Sequence, residues 1–129
     1  MAYVKQRTQF GVPVGSFQAV KHRLADTLLG LEFARPLLYG AAVELASEVS
    51  RPGAEAESAG GSPGSGAAVA AAKVTAGEAG YAAARTALQL HGAVGYTEEL
   101  DLAWWLRRAR PLRDAWGTPS ACRARVLAG

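Results

Sequence analysis

Between Phe17 and Val49, apolar residues recur at Phe17, Val20, Leu24, Leu28, Leu31, Leu38, Leu45 and Val49, with Ala34, Ala41 and Ala42 filling in. These are steps of three and four, or multiples of them. Such spacing places the residues along one side of a helix. The stripe therefore predicts a long helix with one buried face. Ser16 stands in front as a fair N-cap. Asp26, Glu32, Arg35 and Glu48 lie off most of the stripe. Pro36 falls inside it, where the lost N–H and the clash with the preceding turn cost about 3 kcal/mol. The stripe resumes in register beyond Pro36, so a kink near residues 32–36 is expected and not a break.

The remaining segments complete a helical pattern. Residues 67–90 predict a second long helix, with Val69, Lys73, Ala76, Gly80, Ala83, Ala87 and Leu90 on one side. Gly77 and Gly80 should each cost about 1 kcal/mol relative to Ala. Close helix–helix approach is the expected compensation. Residues 100–110 predict a third helix, with Leu102, Trp105 and Leu106 together, Trp104 flanking and Pro111 just past its end. Thr118 caps a short fourth helix, and Pro119 takes its first position, where a missing N–H is harmless. Residues 2–8 read as one or two helical turns and residues 10–15 as a loop around Pro13. Residues 50–66, Ser-Arg-Pro-Gly-Ala-Glu-Ala-Glu-Ser-Ala-Gly-Gly-Ser-Pro-Gly-Ser-Gly, can bury no face and read as a flexible linker. The expectation is an all-α fold: one domain over 1–129, an antiparallel up-down bundle of three to four helices, with 50–66 joining the two long ones. The tryptophan pair and the Ala/Gly helix suggest apolar surface that needs a partner.

Charge and cysteine narrow the function classes. A formal charge of +3 is modest and singles out no anionic partner. Arg107, Arg108, Arg110 and Arg113 form the densest basic cluster, but successive arginines spread around a helix instead of forming a stripe. A solvated or subunit-facing surface suits them better than nucleic acid. A basic nucleic-acid-binding bundle rests on net charge alone. Cys122 is the single cysteine, which excludes an intrachain disulfide or Cys-rich zinc site and makes a cytoplasmic setting the simplest. No signal peptide is visible, and no stretch reaches the ~18 apolar residues of a membrane helix. No second ligand type stands at metal-binding spacing around His91, so no metal is expected. Glu98 and Glu99 read as charges favoured at a helix N-terminus.

Two motifs remain. One is Gln89-x-x-Gly92-x-x-Gly95-Tyr96-x-x-Glu99, followed by the Arg-rich helix and Gly117-Thr118. The other is Arg7-x-x-Phe10-Gly11, with Phe17-Gln18 beyond Pro13. Together they resemble the C-terminal helical domain of flavin-dependent acyl-CoA dehydrogenases, over nearly the whole chain. The resemblance implies FAD as cofactor and α,β-desaturation of acyl-CoA thioesters as the family reaction. It places Arg7 at the FAD pyrophosphate, reaching across a subunit interface, where a guanidinium matches paired anionic oxygens. Phe10 and Gln18 would line the adenine side. The turn carrying Gln89, His91, Gly92 and Ala93 would contact the same nucleotide. Thr118 would contact the isoalloxazine side, with Ser120 nearby. The implied partners are a second copy of the chain or a larger acyl-CoA dehydrogenase subunit, with acyl-CoA reached through that complex and neither nucleic acid nor membrane involved.

The sequence also departs from the family pattern. A full member is much longer, with an N-terminal helical domain and a middle β domain that hold most of the flavin and acyl chain. The usual catalytic Glu immediately precedes the Gly-Thr, and Trp116 stands there. Indole has no basic lone pair and cannot take the α-proton of a thioester. Members that carry the Glu on the preceding helix would have it upstream of Met1. The family's Arg-Asp-Ala reads Arg107-Arg108-Ala109. No catalytic residue is therefore assigned, and the chain alone is expected to be inactive. The alternative reading is a non-catalytic helical interaction module or truncated remnant.

Overall fold

A computed structural model describes residues 2–50, 63–97 and 101–129. The expected all-α bundle is present. A short helix α1 (Ala2–Gln6) leads into a two-stranded hairpin, β1 (Thr8–Gln9) and β2 (Val12–Pro13). Two long helices follow, α2 (Gln18–Val49) and α3 (Pro63–His91), then α4 (Leu102–Asp114) and α5 (Pro119–Ala128). At the centre lies α3, with α2, α4 and α5 all packed on it. Its Ala/Gly composition suits that position, because small side chains let three neighbours approach one axis. Gly30 of α2 faces Ala79 of α3, and a Cβ on Gly77 would lie 3.5 Å from the Arg113 backbone of α4. Gly80 has no such neighbour among the described residues, so the predicted close approach is not seen there.

The long stripe on α2 does form one helix, continuous through Pro36, but the expected buried face does not follow. Ala34 and Ala41 are buried, whereas Leu38 is 53% exposed and Phe33 69%. Leu28, Leu31, Leu45, Val49 and Phe17 are also exposed. The reason is the number of partners. Packing against the slim surface of α3 covers the alanines and leaves the flanking leucines outside. Among the described residues, no large side chain is fully buried, and the core consists of Val4, Val14, Cys122 and alanines.

Local chemistry moved several boundaries. The residues around Pro13 form a hairpin and not a loop: Thr8 pairs with Pro13 and Gln9 with Val12. Phe10 (φ 55°) and Gly11 (φ 79°) are both left-handed, the geometry of a tight hairpin turn. Ser16 does not cap α2. Its hydroxyl donates to the Pro13 carbonyl at 2.7 Å, and Phe17 occupies the N-cap without a side-chain bond. Helix α3 begins at Pro63, so residues 63–66 of the expected linker are helical, while 51–62 lie outside the described residues. Proline suits a first turn. Ser65 is buried there and donates to Glu48 Oε2 at 2.7 Å.

Helix α4 runs through Pro111 to Asp114, beyond its expected end. The extra turn has an outside support: Lys73 of α3 donates to the carbonyls of Leu112 (3.1 Å) and Arg113 (2.9 Å). These are end-of-helix acceptors with no intrahelical donor. Glu78 adds a second tie, paired with Arg123 of α5 and lying 4.0 Å from Arg113 of α4. The start of α5 is as expected, with Thr118 Oγ1 accepting from the Ala121 N–H at 3.3 Å.

Candidate functional site

At the C-terminal end of α3, Gln89-Leu90-His91 closes the helix and Gly92 turns left-handed (φ 65°), as the motif suggested. A 3-10 turn, Gly92–Tyr96, carries the chain away. Gly95 is buried in it, and a Cβ there would meet Leu88 Cδ1 at 3.0 Å and His91 Cβ at 3.2 Å. That close approach explains a glycine at this place.

The N-terminal segment docks on this helix end. Tyr3 stacks on the His91 ring with centroids 4.3 Å apart, and its hydroxyl donates to the His91 carbonyl at 3.2 Å. His91 Nδ1–H in turn donates to the Ala87 carbonyl at 2.7 Å, which fixes the ring. Arg7 Nη1 donates to the Tyr3 hydroxyl at 2.6 Å. One side of the guanidinium is thereby held, and the rest of its fork is exposed. Phe10 projects from the hairpin turn, 93% exposed and edge-on to Phe17 at 6.3 Å.

These groups converge. A cleft of about 400 Å³ is lined by Arg7, Gln9, Phe10, Val14, Phe17, Val20 and the stretch Gln89 to Gly92. Two motifs some eighty residues apart in sequence thus share one cavity. It offers a preset guanidinium, two aromatic edges, an amide side chain and a glycine backbone, where no described residue stands within 4 Å of an added Cβ. Chemically this set suits a planar ring joined to a paired anion. Gln18 is the first residue of α2 and exposed, but it does not line the cleft, and Ala93 lies one residue beyond the lining.

Thr118 and Ser120 sit elsewhere. Their hydroxyls are 3.0 Å apart in the first turn of α5, beside a second cleft of about 550 Å³ lined by Ala70, Lys73, Trp116 and Gly117 among others. From Ala70 to Gln89, α3 spans nineteen steps, or about 28 Å at 1.5 Å per residue. One protomer therefore holds two separate groups of the residues singled out, and they do not face a common cavity. Trp116 is 88% exposed and left-handed (φ 56°), ahead of Gly117 (φ 130°). Glu98 and Glu99 lie outside the described residues.

Tyr3 and Lys73 were not read as site-building from the sequence. Tyr3 had a signal, since it stands four residues before Arg7 on one helical face. Two of the α4 arginines lie over aromatic rings: Arg108 over Trp104 at 5.0 Å, and Arg113 over Tyr81 at 5.4 Å. No helix among the described residues is long and apolar enough to cross a membrane.

The comparisons with known proteins agree with one another. The family model described as the C-terminal domain of acyl-CoA dehydrogenases matches residues 1–128. The 3-sulfinopropanoyl-CoA desulfinase of Paraburkholderia xenovorans strain LB400 is 37% identical over 124 residues, which are 96% of this chain and 28% of that protein. Acyl-CoA dehydrogenase IpdE2 of Mycolicibacterium smegmatis is 33% identical over 92% of this chain and 32% of its own length. A solved complex of glutaryl-CoA dehydrogenase with glutaryl-CoA superposes with a TM-score of 0.81 at 30% identity, covering 98% of this chain and 29% of that one. The ChsE4–ChsE5 complex of Mycobacterium tuberculosis gives 0.82 at 29% identity, with 98% and 31% covered. The chain thus spans less than a third of the length of these relatives.

Proposed function

Because the chain belongs to the acyl-CoA dehydrogenase family and corresponds to its C-terminal domain, we propose that it supplies one wall of an FAD site. The other walls come from a second polypeptide or from sequence outside these 129 residues. The observation that carries this reading is the convergence of Arg7, Phe10, Gln89, His91 and Gly92 on one cleft. This lining supports the adenine–pyrophosphate half of FAD as the occupant. Arg7 would take the pyrophosphate, with Tyr3 holding the guanidinium in place. Phe10, with Gln18 at the margin, would flank the adenine, and the Gln89–Ala93 turn would offer backbone contacts. Thr118 and Ser120, at the start of α5 beside the cleft whose Ala70 lies about 28 Å along α3 from Gln89, would belong to a different copy of the flavin.

Bound FAD supplies the hydride acceptor for acyl-CoA oxidation. This chain supplies binding and orientation but no base, because indole at Trp116 cannot accept the α-proton. Its partner would be a second copy or a larger acyl-CoA dehydrogenase subunit, and acyl-CoA would be met only in that assembly. The exposed leucines of α2 and the indoles of α4 support such a partner, since exposed apolar area of this kind marks interfaces. One relative, ChsE4–ChsE5, is itself a complex of two named chains.

ADP serves as the probe, because it carries the adenine and pyrophosphate without the flavin ring. Calorimetric titration of the purified chain should show ADP binding that Arg7→Ala weakens by roughly tenfold, the loss of one charge-assisted contact. Adenosine should bind more weakly and ignore that substitution. Equal binding of ADP to both proteins would refute the assignment of the cleft.

A further inference from the structure

The second cleft has features that the flavin reading leaves unused. Its walls are Leu45 of α2, Val69 and Ala70 of α3, and Ala121 of α5, with Trp116 and Gly117 at one side. About 550 Å³ is the size of a small-molecule site. Two cations reach it, and they differ. The Lys73 ammonium is committed to the carbonyls of Leu112 and Arg113. Among the described residues Arg125 has no carboxylate or carbonyl partner, and its Nε lies 3.5 Å from where a Gly66 Cβ would stand. The guanidinium thus lies against the first turn of α3. The carboxylate close to that turn, Glu48, accepts from Ser65 at 2.7 Å and does not line the cleft. The Cys122 thiol is turned to the Gly117 carbonyl at 3.7 Å. Trp116 is held in a left-handed conformation that a bulky residue rarely adopts, with its indole exposed. Such strain points to a role outside the fold.

We propose that this cleft binds a small amphipathic monocarboxylate, with Arg125 anchoring the carboxylate, the α2–α3–α5 walls covering the hydrocarbon and Trp116 closing one side. One unpaired guanidinium matches a single negative charge. A polyphosphate would need the second cation, and Lys73 is already engaged. The site depends on neither Arg7 nor Thr118, so it stands or falls separately from the flavin reading.

Octanoate is the probe, and octan-1-ol is the neutral control with the same chain length. Titration of the purified chain by calorimetry, with tryptophan emission as a second readout, should show octanoate binding roughly tenfold or more tighter than octanol, the difference expected for a charge-assisted contact. Arg125→Leu should remove that preference and leave octanol affinity as before. Arg125→Lys should restore part of it, and Trp116→Ala should abolish the emission change. Far-UV circular dichroism of each variant establishes that the helices persist. Equal affinity for the two probes, no binding of octanoate, or an unchanged octanoate affinity in Arg125→Leu would each overturn the proposal.

Discussion

Replacing Lys73 by Met tests how the loop between α4 and α5 is held. The ammonium donates to two carbonyls at the end of α4, at 3.1 and 2.9 Å, and lies at the negative end of that helix. Hydrogen bonds to a charged donor contribute about 1.5–3 kcal/mol each in favourable settings. Here the site is half-buried, so water reaches the freed carbonyls and the lower end applies to the pair. A loss of about 2 kcal/mol is expected for Lys73→Met, whose side chain keeps most of the apolar stem. For a chain of this size that corresponds to a fall in melting temperature of roughly 7 °C. Thermal unfolding followed by far-UV circular dichroism measures it. Tryptophan emission should report the change early, because Trp104 and Trp105 ride on α4 and Trp116 follows it. Lys73→Arg should recover part of the stability, since a guanidinium can also donate to both carbonyls. A melting temperature for Lys73→Met within about 2 °C of the parent, a few tenths of a kcal/mol, would show that these two bonds do not hold the last turn of α4.

Three further outcomes follow from backbone geometry. Gly80→Ala should stabilise the chain by about 1 kcal/mol in urea unfolding, because no described residue stands within 4 Å of the new Cβ; a loss would mean that a self-association buries that face. Gly15→Ala should destabilise by about 1–3 kcal/mol, since its Cβ would meet the Val4 carbonyl oxygen at 2.9 Å and push α1 off its seat. Hydrogen exchange at α1 should then rise, and unchanged protection would refute the clash. Trp116→Gly should leave stability unchanged or raise it by up to about 1 kcal/mol, because left-handed backbone costs a bulky residue and not glycine. A drop of that size would mean that the indole makes contacts that its exposure does not suggest.

The helices were legible where pattern and punctuation agreed. Thr118-Pro119 marks a helix start by chemistry that acts within four residues, and Gly92 marks a helix stop the same way. Burial was less legible. The α2 stripe reports that leucines share a face, but not whether one partner helix is wide enough to cover them. Pro111 misled because the support for the turn beyond it, Lys73, lies thirty-eight residues away in sequence. The hairpin at Phe10-Gly11 was hidden because phenylalanine is an unusual occupant of a left-handed turn position. The cleft at Arg7 could be assembled from the motifs by resemblance. The part played by Tyr3 required the packing of α1 onto the end of α3.

The spacing between the two ends of α3 acts as a ruler with a fixed pitch. Each residue inserted between Ala70 and Gln89 would lengthen the rod by about 1.5 Å and also turn one end by about 100° against the other. A single insertion would therefore swing the Gln89 turn away from the hairpin that completes its cavity. Seven residues, close to two full turns, would restore the direction while moving the end by about 10 Å. Length variants of this helix should accordingly be tolerated in steps near whole turns, and the interior of α3 should accept replacements far more readily than insertions.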